Sequence, residues 1–195
     1  TFDAGARPKP ILVMELVEGP PLERVIHTGA LDVQQTFALL DGIAAGLSAM
    51  HRVGVGHPDL KPGNLILRGL DALAGSPGTP VLVDFGLAGR QVRPGCATAN
   101  YGAPEIWGLT PKGHKPSPAP ADVYAFGCLA FEVLTGRELV HGNGEVAIIT
   151  AHLSHDGDFD ALRWLAQDPE LSAIAQVLSG AVRQDPRART PIDEL

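Results

Sequence analysis

Apolar positions recur at three- and four-residue steps in one long stretch, through Phe37, Leu40, Ile43, Ala44, Leu47 and Met50. That spacing predicts a helix running from an Asp32 cap to about Arg52. Upstream, Ile11 to Val17 reads as a short strand interrupted by Glu15 and stopped by Glu18-Gly19-Pro20-Pro21. Pro21 suits the first turn of a short helix, LERVIHTG, closed by Gly29. Downstream, Leu65 to Leu67 and Val81 to Val83 read as two short strands, joined by a Gly/Pro-rich connection. Gly89 to Pro104 reads as a long loop and KGHKPSPAPAD as a surface spacer. Ala121 to Thr135 is apolar nearly all round, so it predicts a helix buried on most sides and closed by Gly136. Three further helices are expected after Gly144: near Glu145 to Leu153, near Pro169 to Arg183, and from about Pro191. The expected fold is mainly α, with a few short strands in the first half and no internal repeat.

Composition narrows the function. The chain has 195 residues, 45% hydrophobic and 19% charged, which is enough for a real core and excludes disorder. Lys plus Arg total 15 against 22 Asp plus Glu, a formal net charge of -7. That argues against nucleic acid as a partner, because duplex binders carry basic faces. Cys96 and Cys128 form no disulfide framework and read as free thiols of a reducing, cytoplasmic compartment. Thr1 to Pro10 is polar and proline-bearing, unlike a secretory leader. The segment VYAFGCLAFEVL is too short for a bilayer and contains Glu132, although a longer parent chain could still carry an anchor elsewhere. Thr1 opens in mid-pattern with no initiator Met, so the chain reads as part of something larger.

Three stretches carry the chemistry. GHPDLKPGNLIL, Gly56 to Leu67, places Asp59, Lys61 and Asn64 in one loop stiffened by Pro58 and Pro62. Asp84-Phe85-Gly86 follows a strand, and Gly102 to Glu105 reads GAPE. Each alone has an ordinary explanation as a polar turn or a chance tripeptide. Their order and spacing resemble the protein kinase family, specifically the C-terminal lobe of a bacterial serine/threonine kinase of eukaryotic type. The resemblance runs from ILVMELVEG to QDPRARTPIDEL, almost the whole chain.

The resemblance implies a protein-kinase-like C-terminal lobe: a helical bundle with short strands around the catalytic and Asp-Phe-Gly loops. Residues 1–19 would be the last strand of the N-terminal lobe and the hinge, and 20–195 the C-lobe. It implies transfer of the γ-phosphate of ATP to serine or threonine of protein substrates, with Mg2+. Asp59 would orient the substrate hydroxyl, Lys61 would face the phosphate, and Asn64 and Asp84 would hold the metal. His57, Phe85 and Gly86 would be structural. Thr98, in the docking segment ATANYGAPE, would bond Asp59 and Lys61; otherwise it is a loop threonine capping its own backbone. Glu105 would pair with Arg189 as scaffold. Asp122 would anchor the catalytic-loop backbone, besides suiting a helix start. Met14 would be the gatekeeper, the backbone of Glu15 and Val17 would meet adenine, and Ile66 would lie under the base; Met14 and Ile66 also read as plain core.

Two departures stand out. The usual His-Arg-Asp is His57-Pro58-Asp59, and between Gly86 and Pro104 the only hydroxyls are Thr98 and Tyr101. Activation is therefore expected not to rely on phosphorylation of that loop. The family's glycine-rich loop, lysine and helix glutamate are absent, so an upstream lobe of the parent chain is the expected partner and the fragment alone is expected to be inactive. A pseudokinase scaffold and a small-molecule phosphotransferase of the aminoglycoside type are the alternatives. HLSHDGD, with His152 and His155, has a spacing that could bind zinc but reads more simply as a polar helix end.

Overall fold

The computed structural model describes residues 13–71, 74–112 and 115–195. Residues 13–17 form no strand, since nothing in the described residues lies alongside to pair with them, and Ile11 and Leu12 fall outside that range. Helix α1 (Leu22–Ile26) follows Pro21 and is followed by a left-handed Gly29. Helix α2 (Val33–Arg52) starts at a full capping box: the Asp32 carboxylate accepts from Gln35 N–H, and the Gln35 side chain accepts from Asp32 N–H. The pair β1 (Leu65–Arg68) and β2 (Thr79–Leu82) is antiparallel, with Leu65 opposite Leu82 and Arg68 opposite Thr79.

Helix α3 (Pro118–Thr135) is the hub. Every residue from Ala121 to Glu132 is buried, as a sequence apolar nearly all round requires, with Asp122 and Glu132 the two charged exceptions. It begins earlier than expected from the sequence, inside the supposed spacer. Pro118 and Pro120 occupy its first turn, where a missing N–H costs nothing. Gly136 closes it with φ 68°, donating its N–H to Glu132 C=O. Against it pack α2 and α6 (Ser172–Ala181), while α5 (Asp160–Leu165) lies on α6 and α4 (Glu145–Leu153) on the 3-10 turn Pro104–Trp107. The short α5 was not legible in the sequence, and α6 is shorter than the pattern suggested. The expected last helix is a single 3-10 turn, Ile192–Glu194. Gly127 lets α3 and α6 touch, because a Cβ there would lie 2.7 Å from Val182 Cγ1. No helix among the described residues is long and apolar enough to cross a membrane.

Candidate active site

The loop between α2 and β1 is held from below. Gly56 and Gly89 exchange both backbone hydrogen bonds, at 3.0 and 3.2 Å, tying this loop to the segment after Asp-Phe-Gly. Asp122, fully buried near the start of α3, accepts from His57 N–H at 2.8 Å with Oδ2. The same oxygen lies 2.8 Å from His51 Nε2 at the end of α2. Burial pushes the Asp122 carboxyl up, while the bonds from His51 and His57 pull against that. Its other oxygen, Oδ1, is buried without a partner, and the residue after His57 is Pro58, which has no N–H to offer. His51 gave no signal in the sequence; it is found only because α2 and α3 cross here.

The His57 ring points the other way. Its Nε2 lies 3.0 Å from Val83 C=O, so that nitrogen carries the proton. The loop carrying Asp59 is thereby clamped to the chain immediately before Asp84. The Phe85 ring meets His57 edge-on at 5.4 Å. Asp84 has φ 61°, the only positive φ outside glycine among the described residues. A left-handed aspartate costs about 1–2 kcal/mol, so its neighbours enforce it. Val83 N–H donates to Asn64 C=O at 2.9 Å, and Gly86 N–H reaches Asp84 Oδ1 at 3.3 Å.

Asp59 sits in a ring of donors. Its Oδ1 accepts from Thr98 N–H at 3.0 Å and from the Thr98 hydroxyl at 2.8 Å. Its Oδ2 lies 3.0 Å from Lys61 Nζ and accepts from Asn64 Nδ2 at 3.2 Å. Lys61 also donates to the Thr98 hydroxyl at 2.8 Å. Burial raises the Asp59 carboxyl, but the bonds from Thr98 and Lys61 and the lysine charge outweigh it and hold it below the usual carboxylate range. It is therefore an anion at neutral pH, shaped to accept and orient a hydroxyl more than to strip a proton early.

The donor set suits a hard cation. Asn64 spends its N–H bonds on Asp59 C=O and Oδ2, which fixes the amide so that its carbonyl oxygen remains available. Asp84 offers an exposed carboxylate. Two such oxygens suit magnesium, which completes its shell with water and phosphate oxygens; no cluster of three His, Cys, Asp or Glu side chains occurs among the described residues.

The remaining residues fall into three groups. Glu105 and Arg189 meet in a bidentate pair at 2.6 and 2.8 Å, both side chains essentially without exposure. Tyr101 donates to Glu132 at 2.6 Å, a bond the sequence did not suggest. Near the N-terminal end of the described residues, Met14 is 58% exposed, so it is not core here. The Glu15 carboxylate pairs with Arg68 at 2.7 Å, Val17 and Ile66 are half-buried, and Leu67 N–H donates to Pro20 C=O, laying residues 15–20 along β1. His152 and His155 both bond Tyr124, and among the described residues they are part of no metal-holding group of three.

The family model for the protein kinase domain matches residues 5–195, and the chain belongs to that family. Among curated relatives, the serine/threonine-protein kinase drp72 of Corynebacterium efficiens is 31% identical over 186 residues, covering 91% of this chain and 32% of the relative. PknB of Mycobacterium leprae is 28% identical over 223 residues, covering 98% of this chain and 34% of its own length. PkaA of Streptomyces coelicolor is 36% identical over 146 residues, 73% of this chain and 26% of the relative. The chain thus spans about a quarter to a third of the length of these relatives. The crystal structure of the Rad53 kinase domain and SCD2 aligns with a TM-score of 0.70 at 23% identity, over 93% of this chain and 61% of that one, and shows the fold.

Proposed function

We propose that this chain is the C-lobe of a serine/threonine protein kinase and supplies the catalytic half of ATP-dependent phosphoryl transfer to proteins. The carrying observation is Asp59, ionised and locked between Thr98, Lys61 and Asn64. Phosphoryl transfer needs little covalent help from a protein; it needs an oriented hydroxyl and stabilised charge. Asp59 accepts the substrate hydroxyl. Lys61 bridges Asp59 and Thr98, so one cation meets both the nucleophile's anchor and the incoming phosphate charge. Thr98 places the docking segment directly against Asp59. Asn64 and Asp84 hold Mg2+, which neutralises phosphate charge when bound.

Adenine lies against the hinge backbone of Glu15 and Val17, with Met14 and Ile66 beside it. Met14 and Leu16 are largely exposed, an apolar face suited to a base and an upstream lobe. That lobe, 1–19 contributing its end, supplies the glycine-rich loop and the lysine. The parent protein, incubated with ATP, Mg2+ and a generic basic protein, is expected to phosphorylate serine or threonine. Asp59→Asn should lower the rate about 10²–10⁴-fold with ATP binding retained. A folded parent that binds ATP and transfers nothing would replace this reading with a pseudokinase scaffold.

A further inference from the structure

The end of α4 and the turn after it carry two histidines that share one phenol. The Tyr124 hydroxyl lies 2.7 Å from His152 Nδ1 and 2.8 Å from His155 Nε2. A hydroxyl has one proton, so it donates to one ring and accepts from the other. The choice is made two residues on, where Gly157 N–H donates to His155 Nδ1 at 2.9 Å. His155 therefore carries its proton on Nε2 and donates it to Tyr124. Tyr124 then donates to His152 Nδ1, and His152 must carry its proton on Nε2. Burial holds both imidazoles down at about 4, so both are neutral at neutral pH and the chain of tautomers is determined.

His152 Nε2–H is the open end of this chain. It is fully buried and makes no hydrogen bond of ordinary geometry, although the nearby backbone of Ala99 and Asn100 pulls the imidazole upward against the effect of burial. Beside it runs the backbone of Ala99 and Asn100, in the turn where Tyr101 and Gly102 N–H both donate to Thr98 C=O. Neither the Ala99 nor the Asn100 carbonyl accepts from an N–H of the described backbone. A buried donor thus sits beside two carbonyls that take no backbone N–H, close enough to feel them but short of a full hydrogen bond, one residue from Thr98. The other side of Tyr124 is fixed, because the Arg189 guanidinium lies 4.9 Å over its ring.

We propose that His152 is a positioning residue for substrate docking: its Nε2–H closes on the carbonyl of Ala99 or Asn100 when a protein substrate seats against residues 98–101. The proposal rests on the protein kinase reading above. Closing the bond satisfies a group that is otherwise costly to bury, so part of the docking energy comes from a side chain that never touches substrate. ATP, held on the hinge side, gains nothing from it.

The test uses the whole parent protein and a peptide substrate found by screening. His152→Leu keeps the volume and removes both nitrogens; Tyr124→Phe keeps the ring over Arg189 and removes the hydroxyl that sets the tautomer; His152→Gln keeps a donor near the Nε2 position. His152→Leu and Tyr124→Phe are expected to raise the peptide KM about tenfold while kcat and the ATP KM move less than about twofold. His152→Gln should stay close to the unmodified protein. An unchanged peptide KM in folded His152→Leu, or equal losses in kcat for all three, overturns the proposal. Should His152→Leu not fold, the contrast between Tyr124→Phe and His152→Gln decides. Nitrogen-15 spectroscopy of the histidines gives a readout independent of turnover: His152 protonated on Nε2 supports the relay, and protonation on Nδ1 overturns it. If the unmodified parent phosphorylates no protein, the kinase reading fails while the spectroscopic result still judges the relay.

Discussion

Replacing Arg189 by methionine tests the buried pair that holds the Gly102–Glu105 segment. All five guanidinium N–H groups have work in the folded chain. Nη1 donates to Glu105 Oε1 and Pro120 C=O, Nη2 to Glu105 Oε2 and Gln184 C=O, and Nε to Arg183 C=O. Arg189→Met leaves the Glu105 carboxylate, whose side chain is 0% exposed, without its counter-charge. An uncompensated buried charge of this kind costs about 3–5 kcal/mol. Glu105→Gln is milder, about 1.5–3 kcal/mol, because the arginine keeps its three carbonyls. The double variant should cost less than the sum, since no charge is left stranded. Amide hydrogen exchange of the whole protein resolves the effect locally. Peptides covering 102–108 and 183–190 should lose about two to three orders of magnitude of protection in Arg189→Met. A loss below about tenfold, or strict additivity in the double variant, would refute the claim that this pair is buried and mutually dependent.

Other outcomes follow from the same geometry. His152 is neutral when folded, with its value lowered from 6.5 to about 4 by burial, so stability present above pH 6.5 should fall by about 3 kcal/mol on descending to pH 4 as the unfolded chain takes up the proton first. The groups facing this pair are Tyr124, Arg189 and Asp156, the last opposing the shift at His155. Denaturant titrations at the two pH values check it, and His152→Leu should flatten the slope. Gly56→Ala would bring a Cβ to 2.4 Å from Pro118 Cβ and 2.7 Å from Asp122 Oδ2, so it should destabilise by about 1–3 kcal/mol and reduce activity; an unchanged melting temperature would contradict the close packing. Mass mapping of the active enzyme should find no phosphate between Gly86 and Pro104, because the Thr98 hydroxyl is engaged by Asp59 and Lys61 and the Tyr101 hydroxyl by Glu132. A stoichiometric phosphate there, needed for activity, would overturn that.

Much of the fold was legible because the physics there is local. The Asp32 cap, the 3.6-residue spacing through Leu47 and the left-handed Gly136 are each decided within a few residues of chain. The boundary errors also have local causes. Prolines at 118 and 120 look like a spacer, yet a helix's first turn tolerates them. The apolar run before Glu18 looks like a strand, yet strand structure requires a neighbour.

The site divides along the same line. Asp59, Lys61 and Asn64 share one short loop, so the sequence alone puts an acid, a cation and an amide within a small volume. Asp84 and Glu105 were readable only because their motifs keep a set order with that loop. Spacing along the chain does not join Thr98 to Asp59 across 39 residues or His57 to Asp122 across 65; the kinase resemblance implied both, and nothing implied His51 on Asp122 across 71. Nor could spacing show that Tyr124 sits between His152 and His155, which the sequence read as a polar helix end. Which side chains occur, and which turns and helices carry them, is local chemistry. Which of them share a proton or a charge depends on how α2, α3 and α4 pack, and only the tertiary structure settles that, because burial is what makes each unpaired polar group costly enough to find its partner.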